Sequence, residues 1–251
     1  MFSISALFFA FLVGFIPICI WLAFWLLQDS KRPEPKHLIV GAFVLGMLAV
    51  LLVIPIQGLV ASYFHIDVGN LTALSTPFLF LLFLMWAGIE EALKVLLVFF
   101  IIVRKTAVDE PIDIPMYFIT AALGFAALEN ALFLFGPLSD GQITQGFITG
   151  NLRFIGAVLI HTLSTAIVAG AIAFSFYNGW YARIRWGLLG LVGATVVHAI
   201  FNIALVTTTA DYLLVVFAGV WVGIVGILLA LEYIKTLERP PWWKKIFINK
   251  K

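Results

Sequence analysis

Residues 76–103 read TPFLFLLFLMWAGIEEALKVLLVFFIIV, an apolar run interrupted only near its middle by Glu90, Glu91 and Lys94. The run is continuous, without the strict alternation of a half-buried strand, and it is long enough as a helix to cross a hydrocarbon core of about 30 Å. A charged side chain at bilayer depth costs about 3 kcal/mol on the most lenient scale, so such a segment must turn its charges toward a polar interior or a partner. The stretch therefore announces a membrane helix with a functional face.

The rest of the chain agrees. Hydrophobic residues make up 63% of its 251 positions and charged residues 11%, with a mean hydropathy of +1.11, a composition that excludes an ordinary soluble domain. Further apolar runs fall at residues 4–27, 38–60, 116–136, 152–177, 184–208 and 212–234. Each is about twice the length of a barrel strand. The expected fold is all-α, a polytopic bundle of seven transmembrane helices forming one integral membrane domain over 1–251.

Lysine and arginine set the orientation, because they favour cytoplasmic loops. Lys31, Arg32 and Lys36 follow the first run, Arg104 and Lys105 the third, Arg183 and Arg185 stand at the start of the sixth, and six more lie from Lys235 to Lys251. The intervening connections, around 61–75, 137–150 and 209–211, carry none. This alternation needs an odd number of spans, with the N-terminus outside and the C-terminus cytoplasmic. The first run has no basic residue ahead of it and reads as a retained anchor. Residues 235–251, with Trp242 and Trp243 among lysines, read as a basic cytoplasmic tail on anionic lipid. The partners implied are the lipid bilayer of the cell membrane and no nucleic acid. Cys19 is the single cysteine, which excludes an intrachain disulfide or a cysteine-rich metal site.

Four consecutive runs, within a core of about 76–208, carry polar chemistry. Lys94 lies one turn from Glu90 and three residues from Glu91, so it can sit against either carboxylate. One cation cannot neutralise both, and the carboxylate left over is either protonated or available as a base. Glu129 lies in Phe125-Ala-Ala-Leu-Glu129-Asn130 with no basic residue nearby in sequence, so its partner comes from another helix, a proton or a metal. Arg153 precedes His161, which lies one turn before Thr165, and His198 lies one turn before Asn202. Taken singly, a buried histidine is more often a satisfied structural residue than a catalyst. At about 1.5 Å per residue, Glu129, His161 and His198 each fall roughly 10 to 15 Å below the outer boundary, with the glutamate pair near mid-membrane. A shared layer is what one site requires.

Elimination narrows the chemistry. There is no H-E-x-x-H for a zincin, no aspartate within a span for a two-aspartate mechanism, and no G-x-S-x-G for a serine nucleophile. A glutamate-based site that activates water remains.

The order Glu90-Glu91-x-x-Lys94, Phe125-x-x-x-Glu129-Asn130, Arg153 ahead of His161-x-x-x-Thr165, and His198-x-x-x-Asn202 resembles the PrsW-type intramembrane proteases. That family is similar in turn to the CAAX prenyl endopeptidases and bacteriocin-processing proteins. The resemblance covers residues 86–202 with no departure at the signature positions. It implies an intramembrane endopeptidase that cuts a single-span membrane protein, such as an anti-sigma factor, near its extracytoplasmic side. Mapped onto this chain, it gives Glu90, Glu91, Lys94, Glu129, His161, His198 and Asn202 as catalytic residues. One of the paired glutamates would activate water and Asn202 would donate to the oxyanion. Glu129, His161 and His198 would hold a divalent metal, for which Zn²⁺ is suited, or would polarise the water without one.

Two readings of other classes compete. A membrane scaffold that holds a partner helix without cutting it could dispense with the glutamate pair, which is entire here. A proton-coupled transporter also uses intramembrane Glu and His, but normally shows an internal repeat and broken helices, and neither is found.

Overall fold

The computed structural model describes residues 4–29, 33–103, 105, 107–208 and 210–238. Helices and turns account for all the secondary structure among them. Eight α-helices follow one another: α1 (Ile4–Leu26), α2 (Lys36–Tyr63), α3 (Thr76–Ile101), α4 (Asp113–Ser139), α5 (Ile143–Leu152), α6 (Val158–Phe174), α7 (Trp180–Thr207) and α8 (Ala210–Ile234). A π-helical segment, Arg153–Ala157, joins α5 to α6, so the chain is helical without a break from Ile143 to Phe174.

Six of these units are long and apolar enough to cross a membrane. The stretch from α3 is of similar length, 26 residues, but carries the three charges of Glu90, Glu91 and Lys94. The helix boundaries follow the apolar runs closely except at two places. α4 starts at Asp113, three residues ahead of the expected run, with Pro115 in its first turn, where proline's missing N–H costs nothing. The connection expected over 137–150 is almost absent, because α4 continues to Ser139 and α5 begins at Ile143. Two glycines and several polar residues in ITQGFITGNL hid this helix from a hydropathy reading. Both glycines serve packing: a Cβ on Gly146 would meet Leu138 at 2.9 Å, and one on Gly150 would meet Val13 at 3.3 Å.

α4 and the α5–α6 unit are the central helices, with 78% of each apolar window buried, against 17–33% for the other four apolar helices. α1, α2 and α6 pack on α4, while α7 packs on α3 and α6. The α2–α4 crossing is very close. A Cβ on Gly46 would lie 1.9 Å from the Ala121 carbonyl oxygen, and one on Gly124 would lie 2.0 Å from that of Phe43. Without a hydrophobic drive between helices in lipid, such backbone approach supplies much of the packing energy.

Several helix ends gather at one end of the bundle. Tyr117 of α4 hydrogen-bonds Glu34 ahead of α2, the rings of Phe99 and Trp180 stack at 5.0 Å, and Lys235 reaches Gln28 at 3.4 Å. Lys36, Lys105, Arg183 and Arg185 belong to the same helix ends. Lys31, Arg32, Arg104, and the tail from Arg239 to Lys251 with Trp242 and Trp243, lie outside the described residues.

Candidate active site

Buried polar residues of α3, α4, α6 and α7 meet at one place, as their shared depth predicts. Glu91 is its hub and is fully buried. Its Oε1 accepts from Lys94 Nζ at 2.6 Å and from His198 Nδ1 at 2.8 Å. Ser164 Oγ lies 2.8 Å from the same oxygen and divides its single proton with the Ile160 carbonyl. Thr165 Oγ1 donates to Oε2 at 2.9 Å. Three helices thus converge on one carboxylate, which is engaged at both oxygens and lies outside the cavity lining.

Lys94 also defines the state of His161. An ammonium only donates, so His161 Nδ1, 3.2 Å from Lys94 Nζ, accepts, and the ring proton resides on Nε2. That N–H donates to Glu129 Oε2 at 2.9 Å. Lys94 Nζ stands 4.6 Å from the centre of the Phe125 ring, a cation–π contact that helps to hold the charge out of water.

Of the three kinds of partner its sequence context left open, Glu129 meets a side chain from beyond its own helix. Arg153 Nη2 bonds its Oε2, while Arg153 Nε donates to Asn130 Oδ1 at 2.6 Å and the guanidinium lies 4.0 Å from the Phe133 ring centre. Glu129 is therefore a paired carboxylate shared between Arg153 and His161.

Glu90 differs from both. Its Oε1 accepts from Gln57 Nε2 at 2.8 Å, whereas its buried Oε2 has no hydrogen-bond partner and lies 3.7 Å from His198 Nε2. Glu90, Glu129, Arg153, His161, His198 and Asn202 line a cavity of about 530 Å³ whose remaining walls are mainly apolar. Glu91 and Lys94, 0% and 1% exposed, stand behind that wall. Three carboxylates face two cations here, Lys94 on Glu91 and Arg153 on Glu129. Glu90 is the carboxylate without a cationic partner, and a buried charge in that state calls for a proton or a metal ion.

Among the described residues, the donors close enough to share an ion are Glu90, His161 and His198, with ligand atoms all within 4.8 Å of one another. Glu129, expected in that set, stands next to it and is held by Arg153. The donor set fits a divalent ion in two respects: Glu90 Oε2 is orphaned, and Glu91 fixes His198 Nδ1–H so that Nε2 presents its lone pair. His161 can join only by giving up its Nε2 proton together with the Glu129 contact, the ring proton then standing on Nδ1 toward Lys94.

Gln57 and Ser164 escaped the sequence reading. Ser164 adjoins Thr165 in a helix full of small residues and carries no signature. Gln57 did leave a signal, being the one amide in the apolar middle of α2.

Residues 34–230 match the sequence model of a family described as "PrsW family intramembrane metalloprotease". Protease PrsW of Bacillus subtilis is 28% identical over 192 residues, covering 76% of this chain and 80% of the relative. Protease PrsW of Oceanobacillus iheyensis is 32% identical over 150 residues, covering 60% of this chain and 61% of the relative. Comparison with solved structures finds no match. The matched region contains every residue of the buried cluster, from Gln57 to Asn202, and includes four of the six long apolar helices whole, most of α8, and α3. By sequence and by the membrane-spanning character of its helices, the chain belongs to the PrsW family of intramembrane proteases.

Proposed function

We propose that this protein hydrolyses a peptide bond of a membrane-anchored protein, with Glu90 as the base that takes the proton of the attacking water. The observation that carries this reading is the contrast between the adjacent glutamates. Glu91 is engaged at both oxygens by Lys94, Ser164, Thr165 and His198 and is fully buried, whereas Glu90 lines the cavity with one oxygen unpartnered. A base needs an unengaged lone pair within reach of the water it deprotonates.

The other residues take roles from their partners. His198, its tautomer set by Glu91, offers its Nε2 lone pair to a proton of the water. His161 and Arg153 hold Glu129 at the cavity wall. Asn202, one turn beyond His198 and also at the wall, can donate its amide to the developing oxyanion. In a metal-dependent form of the mechanism Glu90, His161 and His198 would hold a divalent ion, with Zn²⁺ suited to a His/His/Glu set and Glu90 Oε2 then serving as a ligand in place of the base. Such an ion, when bound, polarises the carbonyl and lowers the pKa of water. The apolar walls exclude bulk water and fit an unwound segment of a hydrophobic span better than a soluble peptide.

The reading extends to topology. α3 is the seventh span, its charges turned inward, and the basic helix ends face the cytoplasm, with the N-terminus outside. Cleavage then falls on the extracytoplasmic side of a single-span substrate of the anti-sigma-factor kind. The same order of motifs supports kinship with the CAAX prenyl endopeptidases and bacteriocin-processing proteins.

The test uses purified protein in detergent with a single-span reporter. Wild type and Glu91→Asp should differ in stability, while Glu90→Gln should abolish cleavage with folding intact. Cleavage retained by Glu90→Gln sinks the assignment.

A further inference from the structure

We infer that Gln57, on α2, is the positioning residue that fixes which oxygen of Glu90 works. This rests on the reading of Glu90 as the base and extends it to a helix without any signature motif.

The geometry is specific. Gln57 Nε2 donates to Glu90 Oε1 at 2.8 Å and approaches the carbonyl oxygen of Trp86 at 3.4 Å. Trp86 is the residue one turn before Glu90 on the same helix, so both acceptors belong to α3. An amide nitrogen carries two hydrogens and its oxygen none, so a site offering two acceptors determines which way the amide faces. Turned over, the Gln57 oxygen would oppose a carboxylate oxygen and a carbonyl oxygen together. The amide is thereby locked, and it locks Glu90 in turn: Oε1 is consumed, and Oε2 is left without a partner, 3.7 Å from His198 Nε2.

No other described side chain does this for Glu90. Lys94 is committed to Glu91 and His161, and Arg153 to Glu129 and Asn130. A neutral donor also suits the position, because it orients the carboxylate without the full neutralising charge that would weaken it as a base. Pro55, two residues earlier, cannot donate to the α2 ladder and so loosens the helix there. The same turn places the only amide of the apolar part of α2 against α3. Hydrogen bonds to charged groups carry more energy than neutral ones, and their loss corresponds to roughly a 10- to 100-fold change in rate.

The experiment compares wild type, Gln57→Leu and Gln57→Glu, each purified as the full chain in detergent. Gln57→Leu keeps the volume and removes both donors; Gln57→Glu also replaces them with acceptors. The expected result is a kcat reduced about 10- to 100-fold in Gln57→Leu and more in Gln57→Glu, with KM and thermal midpoint of Gln57→Leu unchanged. A Gln57→Leu kcat within twofold of wild type overturns the inference. So does a loss confined to KM, which would make Gln57 a substrate contact, or a loss that follows the folded fraction.

A second readout needs no turnover. The infrared carboxylate band that Glu90→Gln removes should shift in Gln57→Leu, since it reports the hydrogen bond on Oε1, and an unmoved band also overturns the inference. Failure of the functional reading has a different signature, because wild type would then leave the reporter uncut while the band still shifts.

Discussion

His198 Nδ1 stands 2.8 Å from Glu91 Oε1, a contact that sets Glu91 apart from its neighbour Glu90. A carboxylate can only accept, so the ring proton is on Nδ1 and the Nε2 lone pair points toward Glu90. In the proposed mechanism Glu91 acts through the histidine. Glu90 is next to it in sequence, yet the helix turns it to the cavity.

The first prediction separates the two. Glu90→Gln should reduce cleavage by about 10² to 10⁴-fold, the usual contribution of a general base, without lowering the thermal midpoint. Glu91→Ala should lower stability by about 3 to 5 kcal/mol, because it leaves Lys94 buried without its partner. Thermal unfolding alongside cleavage assays distinguishes the outcomes, and equal destabilisation by both substitutions contradicts the assignment.

Metal dependence gives a second. If Glu90, His161 and His198 hold a divalent ion, chelation should abolish cleavage and Zn²⁺ should restore it. Glu91→Gln should then weaken ion binding about 10- to 100-fold through its partners His198 and Lys94, as loss of an outer partner does at other sites. Competition with a chelating indicator measures this directly; full cleavage by protein shown to be metal-free would assign the chemistry to glutamate without an ion.

Arg153 and Glu129 supply a third, suited to a double-mutant cycle. Glu129→Gln, Arg153→Met and their combination should show coupling of about 1 to 3 kcal/mol in unfolding, with the double variant more stable than the sum of the singles implies. Additive effects would mean that the pair contributes nothing specific.

The α2–α4 crossing gives a fourth, free of any functional assumption. Gly46→Ala and Gly124→Ala each place a carbon about 2 Å from a backbone carbonyl oxygen, so each should lower stability by more than the usual 1 to 3 kcal/mol of an overpacked core. Gly41→Ala, on the same helix with nothing within 4 Å of the new carbon, should be close to neutral. Similar midpoints for all three would refute the close approach.

Much of this was legible in the sequence because bilayer energetics leave few options. Apolar length fixes the helices, and buried charges at one depth fix the cluster. The structure brings these residues together, with Glu129 meeting Arg153 across the helix interface and Glu90 standing where Glu129 was expected among the clustered donors. What stayed hidden depends on rotation about helix axes. Sequence places Glu90 and Glu91 100° apart but does not say which faces the cavity. Lys94 can reach either by spacing, and chose Glu91 because Ser164, Thr165 and His198 converge there. Gln57 was hidden because a lone amide has no spacing to announce it. α5 was hidden because its glycines, which permit close packing, look in isolation like a loop.

The π segment at Arg153–Ala157 has an effect on phase. In an unbroken α-helix at about 100° per residue, Arg153 and His161, eight positions apart, would point roughly 80° away from one another. A π turn absorbs one additional residue, which brings them to within roughly 20° by the same count. Both side chains do reach the same oxygen of Glu129. Deleting one residue between Phe154 and Ala157 should therefore relax the segment to an ordinary helix and swing Arg153 off its carboxylate, so that a shorter chain of otherwise identical chemistry would lose its clasp.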